Sequence, residues 1–225
     1  MTRSQPAPTR SQPAPTLRLT LIGLFIGMAL PSLGIGHWFA PGHDLGSMAI
    51  REVIFWSIAA ALVFLVVRFE KLPLASLGFR RPTIWTLVWG VVFGLLITAL
   101  FIVCGLVVLP WLHLKGNADA ARPLMTAPLW FRFLLVLRAA VTEEILYRAY
   151  PIERIEALSR SRWLAAGVSV VGFTLAHLSY WGPVQLIFVA PAGVLLAALY
   201  LWRRDIVCNM LAHFITDGIG LLPAH

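Results

Sequence analysis

Residues 84–109 read IWTLVWGVVFGLLITALFIVCGLVVL and contain no charged residue. At 1.5 Å per residue, a helix of this length is longer than the roughly 30 Å hydrocarbon core of a bilayer. Its apolar residues form a continuous block without an amphipathic stripe, so the pattern indicates a helix surrounded by lipid. The stretch therefore predicts a transmembrane helix.

Further apolar blocks on both sides of this stretch are long enough to cross a bilayer. In the whole chain 59% of the residues are hydrophobic and 12% are charged, whereas a soluble domain has roughly 25% charged residues. This composition excludes a soluble enzyme. The predicted fold is all-α, a multi-pass transmembrane helical bundle of about seven spans, at 18–39, 50–69, 84–109, 129–150, 163–180, 184–202 and 205–222.

The chain divides into three parts. In residues 1–16 the unit Arg-Ser-Gln-Pro-Ala-Pro-Thr occurs twice, and such a polar, proline-rich repeat predicts a disordered tail. Residues 17–127 form the N-terminal transmembrane helices, in which no motif occurs. Residues 128–225 contain the remaining four apolar blocks and most of the unusual polar residues.

Lysine and arginine are unevenly distributed between the predicted loops. Alternate connections, which include the amino-terminal tail, carry twelve of them, whereas the opposite side carries Arg51, Lys115 and Arg122. The positive-inside rule then predicts a cytoplasmic amino terminus and an external carboxyl terminus. An odd number of crossings agrees with this orientation. The twelve residues are Arg3, Arg10, Arg18, Arg68, Lys71, Arg80, Arg81, Arg154, Arg160, Arg162, Arg203 and Arg204.

The formal net charge of +8 does not indicate a nucleic-acid partner. The basic residues lie between apolar blocks and form none of the motifs by which proteins read nucleic acid. We expect them to contact anionic membrane lipids instead. The Arg-rich, Lys-poor composition favours an integral protein of a bacterial inner membrane, and the sequence does not indicate an oligomeric state.

The fourth apolar block contains Arg138, Glu143, Glu144 and Arg148. An ionisable group at membrane depth costs about 3 kcal/mol, so four of them need a structural or functional reason. Glu144 and Arg148 lie four residues apart on one helical face and are predicted to form a supporting ion pair. Glu143 lies about 100° around the helix from Glu144 and is predicted to lack that partner.

Histidines occur inside two later blocks. His177 lies in the fifth block, and Asn209, His213 and Asp217 are spaced four residues apart in the seventh. That spacing places these three residues on one face of one helix. A polar seam in an apolar helix is expected to face the interior of a bundle or a water-filled cavity.

The depths of Glu143 and His177 follow from the turn between their helices. If the turn lies near Arg160, both residues are about 25 Å from it along antiparallel helices. They are therefore predicted to be neighbours. A kink at Pro151 would shift this match by a few ångströms.

Three motifs in this order, Glu143-Glu144-x-x-x-Arg148, Phe173-x-x-x-His177 and His213 with a polar fourth neighbour, resemble those of the CPBP family. Its members are the CAAX-type and bacteriocin-processing intramembrane proteases, also called Abi proteins. The resemblance covers roughly residues 128–222 and implies that residues 128–225 form a catalytic helical core.

The resemblance also implies a role for each matching residue. Glu143 would be the general base, His177 would hold the attacking water, and His213 with its fourth neighbour would stabilise the oxyanion. The family commonly has Asn where this chain has Asp217, and an ionised carboxylate would repel an oxyanion. Asp217 must then be protonated, bind a cation, or leave the donor role to Asn209.

The sequence leaves the chemistry of water activation open. Glu143, His177, His213 and Asp217 could together bind one divalent metal such as zinc, as in a metalloprotease, and Asp217 as an additional ligand favours this reading. No His-Glu-x-x-His motif is present, and activation without metal uses the same residues. The expected substrate is a peptide or protein, membrane-associated or prenylated.

Two other functions fit the same polar residues. Intramembrane Glu143, His177 and Asp217 could relay protons or ions in a transporter, although the halves of the chain show no inverted repeat. The chain could also be a catalytically silent immunity or scaffold protein that keeps the fold. The presence of Glu143, His177 and His213 argues against a catalytically silent protein.

The predicted orientation can be tested with reporter fusions. Fusions at Gly78 and Arg204 should report a cytoplasmic position, and fusions at Gly116 and after His225 an external one, because positive loops stay inside. The measurement is the activity of a reporter that works on one side of the membrane only. Opposite signals at both ends of the chain would contradict the orientation.

Overall fold

The computed structural model describes residues 16–223, which contain helices and no β-strand. The all-α fold is thereby confirmed, while residues 1–15 of the predicted tail lie outside the described residues. The main helices are α1 (Leu17–Ser32), α2 (Leu45–Phe69), α3 (Ile84–Trp111), α4 (Asp119–Thr126), α5 (Leu129–Ser159), α6 (Arg162–Trp181), α7 (Pro183–Arg203) and α8 (Ile206–Leu221).

Apolar helices occupy all seven predicted positions, but not all of them have the length of a span. By length and composition α2, α3, α6 and α7 can cross a membrane, and α4 with α5 adds a fifth span if this bent pair is counted as one. Helices α1 and α8 are apolar but shorter than the roughly 20 residues that a straight span needs. By length and composition the described residues therefore contain four or five helices long enough to span a membrane, fewer than the seven predicted.

The prediction of a single span over 18–39 required one continuous helix, but the first apolar block is broken. Helix α1 ends at Ser32, Gly34 adopts a left-handed conformation with φ 70°, and a short helical segment follows at Ile35–Phe39. Glycine adopts this conformation without the steric cost of a Cβ atom, so the chain turns at Gly34. The segment after it lines the cavity described below.

Helix α5 continues past its predicted end at residue 150 and passes through Pro151. Two π-helical turns, Ala139–Glu143 and Ile145–Ala149, precede the proline. Proline has no backbone N–H, so the Tyr147 carbonyl loses its usual helical donor. That carbonyl accepts a hydrogen bond from the Ser169 hydroxyl of α6 instead. The wide π-helical turns thus accommodate Pro151, and the hydrogen bond from Ser169 to the Tyr147 carbonyl links α6 to α5.

Helix α4 was not predicted. It is separated from α5 by a bend of 118°, and Pro128 marks the start of α5. Leu124 and Ala127 at its end pack with Met48 and Phe131. The amphipathic helix therefore lies beside the bundle and covers one end of it.

Large apolar side chains cover much of the outer surface. Helix α3 exposes Leu106 at 74% and Trp111 at 77%, and the exposed surface of the other long helices is similarly apolar. Such a continuous apolar surface is unfavourable in water and matches the hydrocarbon of a bilayer. The protein is accordingly an integral membrane protein.

Two glycines allow α3 to pack closely against α8. A Cβ atom at Gly94 would lie 2.8 Å from Ile215 Cβ and 2.9 Å from the Ala212 carbonyl oxygen, and one at Gly90 would lie 2.8 Å from Leu211. Small residues spaced by four are typical of closely packed membrane helices. Helix α8, which carries His213, is thus held by a glycine surface of α3.

Gly94→Ala should separate α3 from α8 and destabilise the protein by about 1–3 kcal/mol, as overpacking does. The midpoint of thermal unfolding in detergent is the measurement. Gly167→Ala is the matched control, because a Cβ atom at this helical glycine would meet no atom within 4 Å. The control should keep or gain stability, and a Gly94→Ala protein as stable as wild type would contradict the packing.

Candidate active site

A cavity of about 540 Å³ is lined by residues of α2 to α8. Most of its wall is apolar, with Ile97, Phe101, Val189 and Leu196 among the lining residues. Several ionisable side chains from four helices line it as well. They are Arg51, Glu52, Arg138, Glu143, His177, His213 and Asp217, and His37 from the segment after Gly34 lines it too.

Glu143 and His177 face each other across this cavity. The distance between Glu143 Oε2 and His177 Nε2 is 3.9 Å. The turn lies at Arg160, where φ is 58°, so the predicted match in depth is confirmed. His177 Nδ1 lies 2.8 Å from the Phe173 carbonyl oxygen, which can only accept. This hydrogen bond places a proton on Nδ1, and Nε2 is the ring nitrogen that faces Glu143.

Glu143 does not share the Arg148 partner of Glu144, as predicted, but it pairs with a different arginine. Arg138 Nη1 donates a hydrogen bond to Glu143 Oε1 at 2.9 Å. In a regular α-helix two residues five positions apart point about 140° away from each other. The π-helical turn Ala139–Glu143 is wider and brings both side chains to one face. Arg138 therefore binds one carboxylate oxygen, and the other remains on the side of His177.

Glu144 is fully buried and joins α5 to α8. Its Oε1 accepts hydrogen bonds from Arg148 at 3.0 Å and from His213 Nδ1 at 2.9 Å, and its Oε2 accepts one from Asn209 at 3.1 Å. The predicted Glu144–Arg148 pair is confirmed. The Arg148 guanidinium also lies 3.9 Å from the centre of the Phe173 ring, a cation–π contact. Glu144 and Arg148 pack behind the cavity wall.

His213 lies between two carboxylates. Its Nδ1 contacts Glu144, and its Nε2 is 3.4 Å from Asp217 Oδ2. Only the imidazolium form can donate from both ring nitrogens to carboxylate oxygens. Of the three explanations for Asp217, the geometry favours the nearby cation, and that cation is His213.

Asn209 is not placed to donate to an oxyanion. Its two amide protons are directed to Glu144 Oε2 and to the Leu196 carbonyl oxygen, 2.8 Å away. A side-chain amide nitrogen carries two protons, so both hydrogen-bond donors of Asn209 are already used. Asn209 supports Glu144 instead.

The four side chains predicted to bind a metal divide into two pairs. Glu143 contacts His177 and is held by Arg138, while His213 contacts Asp217 and is held by Glu144. Within residues 16–223 no group of three or more His, Cys, Asp or Glu side chains has the arrangement of a metal site. In this arrangement the four side chains stand as two separate pairs.

Residues 125–219 match the family model described as type II CAAX prenyl endopeptidase Rce1-like. This part of the chain is similar to that family. The match confirms the family resemblance, supports a CAAX-type intramembrane protease, and includes every site residue predicted from the motifs. No curated protein and no solved structure matches the chain.

Two residues of the site, Arg138 and Glu52, were given no role in the site from the sequence. Arg138 contributes its Nε and Nη2 to Glu52 of α2, at 2.9 and 3.2 Å, besides its bond to Glu143. Both residues stand in apolar blocks, where each ionisable side chain requires a partner. Glu52 is an acidic residue within the second block, and this signal could have indicated a role for it.

Arg148→Ala should destabilise the protein by about 3–5 kcal/mol, because it leaves a buried carboxylate without its counter-ion. The yield of folded protein and the midpoint of thermal unfolding in detergent are the measurements. Arg81→Ala, which removes an exposed arginine, is the control and should change neither. An Arg148→Ala protein of unchanged thermal stability would refute a supporting role of the pair.

Proposed function

We propose that the chain is an intramembrane endopeptidase that hydrolyses a peptide bond of a membrane-associated or prenylated peptide. The observation that carries the proposal is the 3.9 Å pair of Glu143 Oε2 and His177 Nε2 in an apolar cavity wall. The Rce1-like match over residues 125–219 supports it, because that family is described as a prenyl endopeptidase.

Glu143 and His177 suit the activation of a single water molecule. Oε2 of a carboxylate and the unprotonated Nε2 of His177 are both hydrogen-bond acceptors, so one water can donate one O–H to each. Acceptors 3.9 Å apart both lie within reach of a water oxygen about 2.8 Å from each of them. Its lone pairs then point away from both groups and into the cavity, where a substrate carbonyl carbon can approach.

The proposed reaction conserves the proton. Glu143 takes one proton from the water while the water oxygen forms a bond to the carbonyl carbon. The tetrahedral intermediate then loses its C–N bond, and Glu143 returns the proton to the leaving nitrogen. Both carboxylate and histidine finish in the state in which they began.

His213 is the proposed donor to the oxyanion. Its contact with Asp217 is 3.4 Å, longer than a good hydrogen bond, so a substrate oxygen can compete for the Nε2 proton. Glu144 holds Nδ1 at 2.9 Å, which fixes the ring and stabilises the imidazolium in the way an aspartate does in a serine protease triad. Asp217 offsets the ring's positive charge when no substrate is bound.

The cavity suits an apolar substrate segment. Its volume of about 540 Å³ lies in the range of small-molecule and cofactor sites. Its largely apolar wall can bind apolar side chains or a lipid group, because their burial removes apolar surface from water. The apolar wall therefore supports a substrate with an apolar or lipidated segment.

The proposed setting is a bacterial inner membrane, with the amino terminus in the cytoplasm and membrane lipids around the helices. A divalent metal bound by Glu143, His177, His213 and Asp217 stays a prediction from the sequence, and no step above uses it. Elemental analysis of purified protein tests it directly, since the metal content should fall in His177→Ala and His213→Ala if those residues are ligands.

Glu143→Gln should abolish cleavage in a peptide-library assay that includes prenylated peptides, since it removes the base but keeps the size and polarity of the side chain. His177→Ala should do the same, and the double variant should be no worse than either single one, because groups acting as a unit are non-additive. Turnover of purified, folded protein is the measurement.

Glu156→Gln is the matched control. This carboxylate also belongs to α5 but pairs with Arg204, away from the cavity. Its variant should cleave at the wild-type rate. Wild-type turnover by Glu143→Gln would overturn both the mechanism and the proposed activity.

A further inference from the structure

Arg138 connects two carboxylates from different helices. Its Nε and Nη2 bind the two oxygens of Glu52 on α2, and its Nη1 binds Oε1 of Glu143 on α5. The side chains of Glu52, Arg138 and Glu143 are 14%, 11% and 12% exposed. The guanidinium also packs over the Phe55 ring at 4.6 Å. These contacts hold Arg138 in one orientation.

The way Arg138 is shared decides which oxygen of Glu143 is free. A guanidinium beside a single carboxylate commonly forms a two-pronged pair that occupies both oxygens. Here the Nε and Nη2 edge is occupied by Glu52, so Arg138 offers Nη1 alone. The contact is confined to Oε1, and Oε2 stays 3.9 Å from His177.

Glu52 lies outside the Rce1-like region of residues 125–219. It belongs to α2, one of the N-terminal helices in which the sequence shows no motif. The preceding residue, Arg51, faces the same cavity and donates to the carbonyl oxygens of Ala40 and Gly42, both at 2.7 Å. Helix α2 therefore brings Glu52 to the arginine that binds Glu143, and Arg51 to the loop that contains Ala40 and Gly42.

We infer that Glu52 and Arg138 are positioning residues for the hydrolysis. They hold Glu143 by one oxygen and keep its second oxygen available to the water shared with His177. The inference rests on the proposed peptidase function and adds to it a residue from the part of the chain that the family match does not include.

Glu52→Gln should lower kcat about 10–100-fold, the loss typical when an outer-shell partner of an active-site group is removed. KM should change by less than about twofold, because Glu52 acts through Arg138 and not on the substrate. Glu52→Asp keeps the charge and should recover part of the lost kcat. The measurement is steady-state cleavage by folded protein in detergent, with kcat and KM determined separately.

Glu70→Gln is the matched control, because it also removes a buried carboxylate from an ion pair. Glu70 binds Arg154 at 2.8 Å and the Tyr150 hydroxyl at 2.8 Å, and it does not line the cavity. We expect lower thermal stability and unchanged kcat. Where Glu52→Gln does not fold, Arg138→Lys serves instead: it keeps the positive charge, cannot form the fork to Glu52, and should lower kcat to a similar extent.

The outcomes separate this inference from the proposed function. If wild type cleaves, Glu143→Gln does not, and Glu52→Gln and Arg138→Lys keep wild-type kcat, the positioning role is overturned and the peptidase stands. A higher KM with unchanged kcat in Glu52→Gln would also overturn the positioning role, since it would place Glu52 against the substrate. If wild type cleaves no peptide, the proposed function fails and the inference fails with it.

Discussion

A carboxylate that is fully buried, Glu144, fixes how α5 packs against α8. Its two oxygens accept hydrogen bonds from Arg148, His213 and Asn209, so the charge is balanced and both oxygens are hydrogen-bonded. Removing any one partner would leave a charged group partly unsatisfied in a low-dielectric interior, which is far more costly than never burying the group. The network therefore determines the position of His213, and through it the geometry of the cavity on the other side of the ring.

The π-helical turns of α5 provide the second constraint. They allow the helix to pass Pro151, they redirect the Tyr147 carbonyl to Ser169, and they rotate Arg138 onto the face of Glu143. A regular helix could satisfy the pairing of Glu144 with Arg148 but would turn Arg138 away. The two π-helical turns thus set both the contact between α5 and α6 and the ionic partner of the proposed base. Such turns occur frequently at functional sites.

How far the sequence predicts this molecule depends on whether a feature is local. The membrane helices, the Glu144–Arg148 pair and the approach of Glu143 to His177 follow from hydropathy, helical spacing and distance from a turn. The turn at Gly34 and the contact of Arg138 with Glu143 do not, because they require departures from the regular period. The contact of Arg138 with Glu52 joins residues 86 positions apart and follows only from tertiary packing. The full lengths of the spans also depend on where loops bend, as at the 118° angle before α5.

The charges of the site divide into two groups with different consequences for the proposed reaction. Glu52, Arg138 and Glu143 together carry one negative charge, so a proton taken from water by Glu143 makes this group neutral. Glu144, Arg148, Asp217 and an imidazolium at His213 sum to zero, and the positive ring is the proposed donor to the oxyanion. In a low-dielectric cavity such fixed charges act strongly and need no reorganisation during the reaction. Glu52 therefore matters beyond its hydrogen bonds: without it the first group would be neutral before proton transfer and positive afterwards, which opposes uptake of the proton.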